Sequence, residues 1–205
     1  MDPLVIGISG ASGMVLAGRA IDLLAERGYS VIVTASQNAR RVWRQETEEP
    51  FEKALRRWRA AGVSYFQPFE LDAPIASGSY PIAGMLVMPC SVGTVGAIAS
   101  GLSTNLLQRA ADCTIKEGRR LVLVPRESPL SAIHLENLLK LSRLGVRIVL
   151  PVPAFYTLPR TLEDVVDQIV GRALDAVGVP DALDPRFVYR GGDAGVPRGE
   201  DGGER

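Results

Sequence analysis

Residues 4–13 read LVIGISGASG, a short apolar run that breaks directly into Gly10-Ala11-Ser12-Gly13. Leu16, Ala20, Leu23 and Leu24 then recur at helical spacing. A strand, a glycine turn and a helix in immediate succession are the opening of a parallel crossover unit. The turn aims backbone N–H groups and a helix N-terminus at a place where a phosphate can sit. A purely structural strand–helix turn has the same sequence, so this segment alone does not separate the two.

Apolar runs and helical patterns continue to alternate, which predicts an α/β domain with a mainly parallel sheet. Strands are expected at 4–9, 30–35, 83–89, 120–125 and 147–151. Helices are expected at 14–27, 37–45, 51–60, 92–100, 104–117, 131–144 and 161–177. In the last helix Leu162, Val165, Val166, Ile169, Val170, Ala173 and Leu174 form one stripe, with Thr161 as N-cap and Gly178 as the stop. Leu135, Leu138 and Leu139 share such a spacing within 131–144, and helix 92–100 is nearly all small or apolar. Long connections at 61–80 and 151–160 are the places where such a domain carries function. One domain, 1–190, is expected, followed by a tail at 191–205 with almost nothing to bury and therefore disordered.

Lysine plus arginine and aspartate plus glutamate both total 23, so no net field steers the chain to nucleic acid or to an anionic membrane. Two cysteines, Cys90 and Cys113, make no disulfide framework and suit a reducing cytoplasm. No signal-peptide pattern opens the chain, and no apolar run is long enough to span a bilayer. No Cys/His cluster has metal-site spacing, so no metal is expected.

Ligands of open α/β sheets sit beyond the carboxyl ends of the strands. Those ends carry Gly10-Ala11-Ser12-Gly13, then Ser36, then Cys90-Ser91 through Thr94, then Arg126-Glu127, then the loop holding Tyr156. The second strand ends in Thr34-Ala35-Ser36, without the acid that a dinucleotide ribose needs. Hydroxyls in that place suit a phosphate and point to a mononucleotide such as FMN. Arg109, Lys116, Arg126 and Arg172 are candidates for a second anion clamp. Glu46 and Glu127 are the candidate acid–base carboxylates, while Cys90 and the mid-helix His134 read as structural.

Four segments carry a family resemblance: GISGASG (7–13), PCSVGTVGAIASGLSTNLLQRAAD (89–112), LVLVPRESPLSAIHLENLLKLSRLG (121–145) and FYTLPRTLEDVVDQIVGR (155–172). Over residues 4–187 the chain resembles the UbiX-like flavin prenyltransferases. The resemblance implies a flavodoxin-like or Rossmann-like three-layer αβα sandwich. It implies reduced FMN and dimethylallyl phosphate as substrates, and prenylated FMN as a product made for a UbiD-type decarboxylase. It also implies a homo-oligomer, a dodecamer, with sites shared between subunits. By the same resemblance Gly10, Ala11, Ser12, Ser36, Ser91, Thr94 and Arg109 bind flavin. Lys116, Arg126, Tyr156 and Arg172 bind the prenyl phosphate, and Ser12, Glu46 and Glu127 are catalytic. Phe187 stands where the family often has a tryptophan that helps close the site.

Other readings remain open at this level. An FMN-dependent decarboxylase of the phosphopantothenoylcysteine type needs a catalytic histidine, and His134 is the single one here. A non-enzymatic flavin carrier or decarboxylase accessory subunit would keep the binding residues without turnover. A nicotinamide dehydrogenase is disfavoured by Ser36 in place of an acid.

Overall fold

The computed structural model describes residues 2–189, so the tail expected at 191–205 lies outside the described residues. In chain order the elements are β1 (Leu4–Ile8), α1 (Met14–Glu26), β2 (Val31–Ala35), α2 (Gln37–Glu46), α3 (Phe51–Ala60), β3 (Ser64–Phe66) and β4 (Gly84–Cys90). There follow α4 (Val92–Ala99), α5 (Leu106–Lys116), β5 (Leu121–Pro125), α6 (Ala132–Arg143), β6 (Arg147–Ile148) and α7 (Leu162–Val177). The six strands form one sheet in the order β3-β2-β1-β4-β5-β6, every pair parallel. The order reverses between β1 and β4, so the chain leaves these neighbours in opposite directions and a crevice opens above them.

Parallel strands covered on both faces have no solvent side to alternate toward, which is why β1, β2 and β5 are apolar almost throughout and buried throughout. On one face Ile21 and Leu24 of α1 pack with Val166, Val170 and Leu174 of α7, and Trp43, Phe51 and Trp58 of α2 and α3 join them. On the other, Leu106, Leu107 and Ala110 of α5 and Val95 and Ile98 of α4 cover Val5, Met85 and Leu123.

Four expectations need correction. The stretch 61–80 is not a plain loop, because Ser64–Phe66 adds a sixth strand beside β2. It is too short for alternation to show, and Pro68 follows two residues after its end. The last strand is Arg147–Ile148 rather than 147–151: the Val149 N–H makes one more bond to the Leu123 carbonyl, and Pro151 has no N–H with which to go on. The helix expected from 104 begins at Leu106, because Asn105 is its N-cap and accepts from the Gln108 N–H. Leu135 and Leu139 are exposed and only Leu141 of α6 is fully buried, so the leucine spacing there marks a helix but not a core-facing stripe.

Leu24 is 0% exposed at the α1–sheet contact. Leu24→Ala is expected to lower the unfolding free energy by about 2–5 kcal/mol, read as a reduced denaturant midpoint at unchanged slope.

Candidate active site

Because all six strands run the same way, the helices that follow them start at one edge, and the residues between strand and helix line it. After β1 the turn rises over α2: a side chain at Gly10 would put its Cβ 2.5 Å from the Asn38 Cβ, so only glycine allows this approach. Gly13 ends the turn at φ 110°, a left-handed conformation that glycine adopts without strain. Ala11 is buried and Ser12 half-buried. Ser36 caps α2 by accepting the Ala39 N–H at 3.2 Å, and Ser91 caps α4 by accepting the Thr94 N–H at 3.2 Å.

The N-terminus of α1 departs from expectation. It is not left open for a phosphate, because Gly13 has no capping side chain and Glu46 reaches back from the end of α2. One Glu46 carboxylate oxygen accepts the Gly13 N–H at 2.8 Å and the Met14 N–H at 2.9 Å. Burial pushes the Glu46 carboxyl up. The Ser12 hydroxyl, the Met14 and Gly13 N–H groups and the charge of Arg126 outweigh that effect and hold it below the usual carboxylate value. Glu46, the last residue of α2, thus bonds the Ser12 hydroxyl of the β1 turn and lies within the field of Arg126 after β5.

Beside them lies a cleft of about 340 Å³ lined by Ser36, Gln37, Asn38, Pro68, Phe69, Thr104 and Asn105. Here the N-termini of α2 and α5 face the same space. Thr34, two residues below Ser36, is fully buried and its hydroxyl has no partner. Asn38, Phe69, Thr104 and Asn105 were not among the residues singled out from sequence. Asn105 had a legible signal, an N-cap residue before an apolar run, but the helix boundary set at 104 absorbed it.

Arg126 and Glu127 are exposed on the turn after β5, where the Arg126 N–H bonds the Cys90 carbonyl and Glu127 accepts the Ser128 N–H at 3.1 Å. Tyr156 is exposed and meets Tyr189 edge-on, ring centroids 5.6 Å apart. Phe187 is 4% exposed and packed under Arg186, so the aromatic beside Tyr156 is Tyr189 and not Phe187.

The four-residue anion clamp is not assembled within one chain. Lys116 ends α5, pairs with Glu117 and lies against Gly78, at the edge where β4 and β5 begin. The length of β5, about 13 Å for its five residues, separates it from Arg126. Arg172 lies in the later half of α7 and pairs with Asp175 at 3.3 Å. Arg109, in the first turn of α5, donates its guanidinium to the Ala76 carbonyl and to Asp112. A helix that returns antiparallel to the sheet carries its late residues to the opposite edge, which a linear list of basic residues does not reveal.

Cys90 is 0% exposed, and burial pushes its thiol up to about 12 against an opposing Ser9 hydrogen bond. His134 serves a capping box, its Nδ1 accepting the Ser131 N–H at 3.2 Å. Among the described residues no group of three or more histidine, cysteine, aspartate or glutamate side chains could hold a metal, and no helix is long and apolar enough to cross a membrane.

Two outcomes follow for the site. The folded Glu46 carboxyl titrates below its unfolded value, so its stabilising contribution is complete above the ordinary carboxylate range and disappears as pH falls through the lowered value. Glu46→Gln is expected to lose about 0.5–1 kcal/mol at neutral pH, the low end for a cap because the residue is exposed. Denaturation midpoints measured from pH 7 to pH 3 should show the difference from the parent chain closing. Cys90 should resist thiol reagents in the native state and react once the chain is denatured.

Residues 2–174 match the family model described as Flavoprotein. The flavin prenyltransferase UbiX of Synechocystis is 47% identical, covering 86% of this chain and 91% of that one. The mitochondrial flavin prenyltransferase PAD1 of Saccharomyces cerevisiae is 42% identical, over 90% of this chain and 74% of that one. A solved UbiX (PadA1) complex with FMN and dimethylallyl pyrophosphate has a TM-score of 0.85 at 37% identity, covering 93% of this chain and 98% of that one. A dodecameric FMN-dependent UbiX-like decarboxylase from Escherichia coli O157:H7 has a TM-score of 0.84 at 39% identity, covering 93% of this chain and 100% of that one. With its parallel sheet, its hydroxyl-lined edge and these relatives, the chain belongs to the UbiX flavin prenyltransferase family.

Proposed function

We propose that this chain transfers a dimethylallyl group from dimethylallyl phosphate to reduced FMN, releasing phosphate. What carries the reading is Glu46, bonded to Ser12 within the field of Arg126, beside a cleft of hydroxyls and amides that contains no carboxylate. The residues suit a flavin mononucleotide. Ser36, Asn38, Thr104 and Asn105 offer neutral donors at two helix N-termini for its phosphate. The α1 N-terminus, already filled by Glu46, faces the reacting end instead. Gly10, Ala11, Ser91 and Thr94 would flank the ring.

When bound, reduced flavin supplies the electron-rich central-ring nitrogen and neighbouring carbon that accept the prenyl group. A monophosphate leaves poorly, so its growing charge must be balanced. Arg126, Lys116 and Arg172 supply cations, Tyr156 a hydrogen bond, and Glu127 a proton. Ser12, held by Glu46, orients and relays the proton lost from the flavin side. Holding both ligands face to face in a dry cleft contributes much of the rate. Lys116 and Arg172 lie away from this edge, so a second copy of the chain would complete each site. The E. coli neighbour described as dodecameric supports such a closed assembly. A UbiD-type decarboxylase would receive the product in the cytoplasm. The decarboxylase reading loses its histidine to the α6 cap.

Anaerobic incubation with reduced FMN and dimethylallyl phosphate, followed by mass spectrometry of the released flavin, tests the reaction. A flavin heavier by one dimethylallyl unit is expected, whereas oxidised FMN should bind and stay unchanged. Glu127→Gln and Lys116→Ala should each lose turnover while retaining flavin. Unmodified flavin with both the mono- and the diphosphate donor bound would leave a carrier as the answer.

A further inference from the structure

The β1–β4 junction holds a buried hydroxyl that the proposed chemistry does not use. Ser9 follows the last residue of β1 and is 0% exposed. Its N–H donates to the Pro89 carbonyl at 3.1 Å, one residue out of step with the β1–β4 register, which ends at Gly7 and Val87. If parallel pairing resumed from this shifted bond, the next would run from the Ser91 N–H to the Ser9 carbonyl. That carbonyl is turned to the Ala11 N–H instead, which it accepts at 2.8 Å to start the Gly10–Gly13 turn. The Ser91 N–H goes instead to the Ser9 Oγ at 2.7 Å, while the Ser9 hydroxyl donates to the Pro89 carbonyl at 3.3 Å.

We infer that Ser9 is a positioning residue whose side chain stands in for its own carbonyl, so that the β1 turn can form without releasing the β4 turn. The reach of this substitution is functional. On one side it sets the base of the turn carrying Ser12. On the other it fixes the Ser91 backbone, whose hydroxyl accepts the Thr94 N–H and donates to the Thr94 Oγ1 at 3.0 Å. The ladder around it offers no alternative support. The β4–β5 register shifts between Val87 and Cys90, and Pro89 has no N–H to contribute. Without the Ser9 oxygen, the Ser91 N–H either loses its protein partner or draws on the Ser9 carbonyl, which must then turn from the Ala11 N–H and shift the base of the first turn. Both change the spacing of the two turns across the flavin crevice. The inference rests on the flavin prenyltransferase reading.

The test compares Ser9→Ala, Ser9→Thr and Thr114→Val. Thr114 is a second fully buried hydroxyl, bonded to the Ala110 carbonyl at 2.7 Å outside the crevice, and controls for the loss of a buried hydrogen bond alone. Ser9→Ala is expected to raise the FMN dissociation constant and the KM for reduced flavin about ten-fold, with the KM for dimethylallyl phosphate unchanged. Ser9→Thr, which keeps the oxygen, should restore flavin affinity. Thr114→Val should lower the melting temperature without touching either KM. Ser9→Ala with unaltered flavin constants, or with both KM values rising together, would overturn the inference. Should Ser9→Ala fail to accumulate, Ser9→Cys, with its weaker acceptor, is judged by the same split. A parent chain that binds no FMN, or binds it without prenylation, would instead count against the flavin reading itself.

Discussion

A sheet of parallel strands sends every crossover helix off from the same edge, and each departing helix leaves backbone N–H groups there without partners. The architecture of this protein is largely the set of answers to that demand. Ser36, Ser91, Asn105, Ser131 and Thr161 each cap their own helix with a side-chain oxygen. The helix α1 cannot do so, because its turn needs Gly13 at φ 110° and glycine has nothing to offer. A carboxylate from the far end of α2 fills the vacancy. The exception places an ionised group beside Ser12 and within the field of Arg126, where chemistry on an anionic substrate can use it.

The same edge explains why backbone economy and function coincide here. The oxygens that satisfy helix ends are the oxygens that face the crevice, so most of the site is built from groups the fold required anyway. What is added is small: a glycine that lets one turn ride over Asn38, a buried serine that joins two turns, and an aromatic at the cleft wall.

Much of this was legible in the sequence. The strand–turn–helix opening, the alternation of elements, the hydroxyls after the strands and the missing acid after β2 all follow from local patterns, and the structure reproduces the parallel sheet they imply. Glu46 was a candidate carboxylate from the start, but its neighbours Glu48 and Glu49 give it the look of an exposed helix end, and family resemblance raised it above that reading. The partner it binds is more than thirty positions away, as Gly13. Ser9 was passed over because a small polar residue in an apolar run reads as filler, and nothing local shows that its carbonyl is turned to the Ala11 N–H. The basic clamp is divided between two edges of the chain for a geometric reason. Residue type marks Lys116 and Arg126 as alike, but one ends a helix and the other ends the following strand, so they lie at opposite edges.

That separation has a consequence at the level of the gene. No hinge inside one chain can bring two edges of a continuous six-stranded sheet together. Where one copy's far edge completes another copy's crevice, a defect is a property of pairings rather than of chains. A chain damaged at Glu46 and a chain damaged at Lys116, each inert alone, would form some intact sites when made together. Two broken alleles in one cell would then complement each other, while two alleles broken at the same edge would not.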